Sequence, residues 1–135
     1  MPSKAELICI DPKRVHEFWP FVKLLIHRAV TRGGGDYAQI KNDVLCGLDL
    51  LWIAYDGEKI IASAITSLGT LNGKKTCTIV ACGGVGWKRF GHLIEGIENY
   101  AIGESCTAVR IYGRIGWHRL LKDYGVRRVV LEKDI

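Results

Sequence analysis

The chain is predicted to fold as a single α/β domain, in the α+β sense, built on a mixed central sheet with flanking helices. Three observations carry that prediction. Strand-like runs in the middle of the chain are separated by two glycine turns, a strand, glycine turn, helix and strand follow directly, and two helical stretches come first. The runs imply an antiparallel meander, and the succession after them implies a right-handed crossover that sets two parallel strands side by side. At 135 residues and 48% hydrophobic content, residues 1–135 suffice for one compact core and are too few for two ordinary domains.

Taken in order, residues 6–10 are a short apolar strand that stops at Asp11-Pro12. There Asp can cap a helix and Pro suits its first position. The helix carries Val15, Phe18 and Trp19, meets Pro20 and continues through Phe21, Leu24, Leu25 and Ala29, so it is either kinked or split at the proline. Three glycines at 33–35 end it. Asp36 caps a second helix with Tyr37, Ile40, Val44 and Leu45 along one side and Gly47 as its stop. From Leu50 to Tyr55 the period is that of a strand, and Asp56-Gly57 favours a two-residue hairpin turn with positive φ. The returning strand is 59–68, Asn72-Gly73 offers a second such turn, and 76–82 closes the meander.

The stretch 76–101 organises the rest: a buried strand, a glycine-rich turn at 83–89 and an amphipathic helix at 90–101. Phe90, Leu93, Ile94, Ile97 and Ala101 repeat at helical spacing, with His92, Glu95, Glu98 and Asn99 on the other face. Gly96 weakens this helix slightly and Gly103 ends it. Glu95 and Glu98 could supply a base to a cleft, although charges on a polar helix face are usually just solvated. Residues 106–112 are strand-like again and parallel to 76–82. After Gly113-Arg114-Ile115-Gly116, a short helix carries Trp117, Leu120, Leu121 and Tyr124 and stops at Gly125, and 126–132 reads as a last strand.

The formal charge of +5 is concentrated near the C-terminal end, in Arg110, Arg114, Arg119, Lys122, Arg127 and Arg128. A phosphorylated ligand or an acidic partner fits such an excess, and nucleic acid remains possible on the same charge but is disfavoured, because aromatic residues are not interleaved with the cations. The five cysteines form no CxxC pair and sit in apolar runs, as small core residues in a reducing cytoplasm would. Cys77 and Cys82 differ in strand parity, so they face opposite sides of the sheet unless a bulge intervenes. The four histidines show no metal-ligand spacing, and no metal is expected. No run approaches membrane-spanning length, so a soluble protein of the cytoplasm, with no membrane partner, is expected.

The turn after the third meander strand is an anion site in outline. Backbone N–H groups at a helix start are unpaired within the helix and lie at the positive end of its dipole. Gly86 and Gly91 would let a phosphate approach them, and Lys88 and Arg89 add charge. The plainer alternative is a tight connection whose glycines serve only the backbone.

In element order, with this turn after the meander, the chain resembles the GNAT superfamily of N-acetyltransferases. The stretch from Gly113 to Trp117, Gly-Arg-x-Gly-Trp, also looks like the small GNAT-like proteins of phages and prophages. The resemblance implies that the parallel strands splay, with the pantetheine arm of acetyl-CoA in the gap beside Ile79, Val80, Ala81 and Cys82. It also implies a pyrophosphate cradle made by Gly86, Trp87, Lys88, Arg89, Phe90 and Gly91. With Ile94 set on the leucine that follows the family loop, Gly91 takes the final Gly/Ala, Arg89 the first Gly and Gly86 the Arg/Gln. In the second motif Arg114 takes the Asn, a cofactor-side position, while Trp117, Leu120 and Leu121 take the Ala, Phe and Tyr. The expected general acid is thereby replaced by leucine, and Tyr124 and Tyr112 are the substitutes at hand. The family's reaction is direct attack of an amine on the thioester, with a base and commonly a tyrosine acid. The amine is left open, since acceptor choice would fall to the N-terminal helices and residues 31–36. Two other readings stand beside it: a catalytically inactive GNAT-like binding or assembly module, phage-associated, and a nucleic-acid module using the C-terminal arginines. The family usually has one more strand after the last helix, so either a partner subunit completes the sheet in a homodimer or the sheet is smaller.

Overall fold

The computed structural model describes residues 5–84, 92–113, 117, 121–127, 129 and 131–135. The strands are β1 (Glu6–Cys9), β2 (Leu50–Tyr55), β3 (Ile60–Leu71), β4 (Lys74–Gly84) and β5 (Ala108–Ile111). The helices are α1 (Val15–Gly33), preceded by a 3-10 turn at Pro12–Arg14, α2 (Tyr37–Leu45) and α3 (His92–Gly103). They build one mixed sheet in the order β1-β2-β3-β4-β5. Its first three pairs are antiparallel, and β4 and β5 are parallel across the α3 crossover.

Helices cover both faces, which is why the strands read as continuous apolar runs. On one face Val15, Trp19, Val22, Ile26 and Val30 of α1, with Val44 of α2, meet Leu51, Ile53, Ile65 and Ala81. On the other, Leu93, Ile94, Ile97 and Ala101 of α3 meet Trp52, Ala54, Ala62, Ala64, Cys77 and Ile79. The expected caps form: Asp36 accepts from the Gln39 N–H at 3.2 Å, and Asp11 from the Lys13 N–H at 2.9 Å.

Several expectations are corrected. Of the two alternatives for the first helix, the split is excluded: α1 runs on through Pro20, because its apolar residues on both sides seat on one sheet face and outweigh one missing hydrogen bond. Its buried stripe runs through Val22, Ile26 and Val30, and Phe21 and Leu24 are 70% and 64% exposed. Asn72 and Gly73 both have positive φ, 53° and 76°, as a type I′ turn requires, and the hairpin zips on to Leu71 and Lys74, beyond the expected strand ends. At Asp56-Gly57 only the glycine has positive φ. The Asp56 carboxylate instead accepts from the Glu58 and Lys59 N–H groups at 2.9 Å, making a wider side-chain-held turn.

The last expected strand is absent among the described residues. The described residues of 126–132 lie outside any strand, with Val126 50% and Leu131 91% exposed. Alternation explains it: one face would carry Val126, Arg128 and Val130 and the other Arg127, Val129 and Leu131, so neither is apolar throughout. Of the preceding short helix, Trp117 and residues 121–125 are described, and the Leu121 N–H donates to the Trp117 carbonyl at 2.9 Å. The cysteines are mixed: Cys77 and Cys82 are core residues with thiols pushed by burial to about 11 and about 12, whereas Cys9 and Cys46 are exposed.

The indole N–H of Trp52 donates to the Thr66 hydroxyl at 2.9 Å inside the α3-side core, and its ring lies 5.2 Å from that of Tyr100. Thr66→Val should keep the shape and strand the donor, costing about 1–3 kcal/mol of unfolding free energy in a denaturant titration.

Candidate active site at the fork between β4 and β5

The two parallel strands do not stay paired. Their register runs from Thr76 opposite Ala108 to Ile79 opposite Ile111, and a Tyr112 N–H to Ile79 carbonyl bond of 3.0 Å closes it. From Val80 to Gly84, β4 continues with β3 as its only partner among the described residues. One edge of that stretch is therefore left without a ladder, and unpaired backbone groups are what an extended ligand arm can bond.

A bulge marks the same place. Ile65 pairs with Ala81 and Thr66 with Ile79, so Val80 is the extra residue. It puts Val80 and Ala81 on the α1 side together and returns Cys82 to the α3 side with Cys77. Cys77 and Cys82 thus share a face despite their odd spacing.

One helix spans the fork. A Cβ on Gly83 would stand 2.7 Å from the Leu25 carbonyl oxygen of α1 and 3.3 Å from the Ala29 methyl. At the other prong, a Cβ on Gly33 would stand 3.5 Å from the Gly113 Cα. The glycine at 83 lets α1 lie directly on β4, and at Gly33 the helix end is in ordinary contact distance of the chain after β5.

Of the residues singled out from sequence, Val80, Ala81 and Cys82 lie on this edge, Val80 half-buried, while the fully buried Ile79 is the last residue still bonded to β5. Tyr112, 47% exposed, stands at the apex. Gly86, Trp87, Lys88, Arg89, Phe90, Gly91 and Arg114 lie outside the described residues, although α3 begins at His92, directly after that loop. The His92 ring is hydrogen-bonded to the Ala5 carbonyl, fixing this end of the helix against the start of β1.

Tyr124 is elsewhere. Its hydroxyl donates to Glu98 Oε2 at 2.6 Å, and burial, then Glu98, push its pKa well above the usual tyrosine value. It lines an open groove of about 460 Å³ with Glu98, Asn99, Cys106, Ala108 and Val109, at the end of β5 away from the fork. Sequence reasoning saw Glu98 only as a possible base or a solvated charge and missed this pair, which no local pattern announces. It also missed Asp49, a carboxylate only 8% exposed at the start of β2. Among the described residues no three His, Cys, Asp or Glu side chains gather as metal ligands would, and no helix is long and apolar enough to cross a membrane.

A five-stranded mixed sheet with a forked parallel pair and helices on both faces is the fold of GNAT-type acetyltransferases, and comparison with solved structures agrees. The ribosomal-protein-alanine N-acetyltransferase of Brucella melitensis biovar Abortus 2308 superposes with a TM-score of 0.67 at 12% identity, over 98% of this chain and 99% of that one. An aminoglycoside acetyltransferase from an uncultured soil metagenomic sample, solved with sisomicin, gives 0.65 at 12% identity over 96% and 95%. A second such soil enzyme gives 0.66 at 14% identity over 98% of each chain. At these identities the likeness shows the fold. No family model and no curated protein sequence matches the chain.

Proposed function

We propose that the protein is an acetyl-CoA-dependent N-acyltransferase of the cytoplasm, passing an acetyl group to an amine by direct attack. The observation that carries this reading is the fork: β4 runs on from Val80 to Gly84 beyond its last bond to β5. The free edge suits the amide-bearing arm of the cosubstrate, and the loop ahead of α3, with Lys88 and Arg89, suits its phosphates. Acetyl-CoA would supply the activated acyl group. The chain's part is to hold that arm along Ile79, Val80, Ala81 and Cys82, to keep α1 over the apex and to offer a proton where the thiolate leaves. For that last task Tyr112 is the better placed tyrosine, since it stands at the apex while Tyr124 is engaged by Glu98. All five cysteines are free thiols, which suits a reducing compartment.

Calorimetric titration with acetyl-CoA tests the reading. Micromolar binding that Gly91→Glu abolishes is the expected result, with Tyr112→Phe lowering turnover roughly 10²-fold and Tyr124→Phe far less. No heat and no thermal shift at millimolar ligand would end both the cosubstrate and the enzyme assignments. A second reading, a GNAT-like binding or assembly module of the phage-associated kind, is favoured by Leu121 at the family's tyrosine position and by the occupied hydroxyl of Tyr124. Binding of acetyl-CoA without turnover on any amine would select it.

A further inference from the structure

A row of polar side chains crosses the α1/α2 face of the sheet one residue behind the apex of the fork. Ser67 is opposite Thr78, and Thr78 is opposite Arg110. Leu50 opposite Thr66 sets Asp49 next to Ser67, whose hydroxyl bonds to its carboxylate. The flanking residues Cys77, Ile79, Val109 and Ile111 pack on the α3 side, so the row faces the other way.

Asp49 is the anomaly in that row. It is 8% exposed, and burial raises its pKa, the nearby Asp43 carboxylate of α2 adding to the rise and the Ser67 hydrogen bond opposing it. The only ion pair among the described residues is Arg14 with Glu17. Among the described residues, therefore, no cation pairs with this buried carboxylate, an arrangement that disfavours its charged form and costs stability, and that persists where a ligand supplies the counter-charge.

We propose that Asp49 receives a second ammonium group of the acceptor, which makes the acceptor a diamine or polyamine-like molecule with amino groups about 5–7 Å apart. The spacing rests on the acetyl-transfer reading, which puts the reacting amine at the apex. Strands about 4.8 Å apart put Asp49 about 10–12 Å from the fork, and a hydrogen bond of about 3 Å with about 2 Å of side-chain reach leaves roughly that gap. The Thr78 and Ser67 hydroxyls lie between the two ends. Arg110, at the β5 end, disfavours a spare cation there, so the row orients the acceptor as well as holding it.

The test is titration of the wild type, Asp49→Asn and Asp49→Glu with 1,5-diaminopentane and with n-pentylamine, with melting curves of each protein alone. The wild type should bind the diamine at least roughly tenfold more tightly than the monoamine. Asp49→Asn should bind both alike while melting no lower than the wild type, and Asp49→Glu should restore part of the preference. Equal binding by the wild type, a preference that survives Asp49→Asn, or a preference lost together with a fall in melting temperature overturns the proposal. A separate titration with acetyl-CoA tells the two claims apart: diamine preference without acetyl-CoA binding leaves the cation site standing and removes the acyltransferase.

Discussion

Gly83→Val should destabilise the protein by about 3 kcal/mol and abolish acetyl-CoA binding. The added atoms meet the Leu25 carbonyl oxygen, 2.7 Å from the position of the first of them, and that oxygen belongs to a helix backbone that cannot rotate away. Either α1 lifts, opening the core that Val22, Ile26 and Val30 share with Ile65 and Ala81, or β4 withdraws and the fork closes on β5. Denaturant unfolding and calorimetry on one preparation would show both losses. A fall of about 10 °C in melting temperature accompanies a change of this size in a domain of this length. A stable, ligand-competent Gly83→Val protein would mean that α1 does not rest on β4.

Ile97→Ala should cost about 3–4 kcal/mol, the range for deleting a fully buried aliphatic side chain whose surroundings relax only partly. Ile97 is 0% exposed and sits among Leu93, Ile94 and Ala101, the residues that seat α3 on the sheet. Because residues 85–91, which the proposed function gives to the phosphates, directly precede α3, weaker acetyl-CoA binding should accompany the loss, with a smaller change than for Gly83→Val. A denaturation midpoint that hardly moves would show that α3 is not held by that cluster.

What could be read beforehand was local. The Asn72-Gly73 turn, the Asp36 cap, the crossover through α3 and the antiparallel meander each follow from residues within one or two elements. What escaped depends on distant parts of the chain. Apolar residues lie on every side of α1, so pattern alone could not pick the buried stripe over Phe21 and Leu24. The bulge at Val80 breaks the alternation that assigns faces along β4 and so hid the common side of Cys77 and Cys82. Gly96 reads as a helix weakness, whereas in the fold it is where Leu7 of β1 presses on α3. The crossover predicts that β4 and β5 are parallel neighbours but not where they part, so the edge at 79–82 came from the resemblance and not from any local pattern. Asp49 was not legible at all, since nothing near it in the sequence says that it will be buried or set in line with Ser67, Thr78 and Arg110.

The contact of α1 with β4 and with the chain after β5 has a mechanical consequence. Leu25 and Ala29 bear on one prong and Gly33 lies beside the chain just past the other, so a change in the width of the cleft would change what the helix rests on. A molecule that wedges the prongs apart would then press on the helix through Gly83, and pressure on the helix from its outer surface would be felt first on β4.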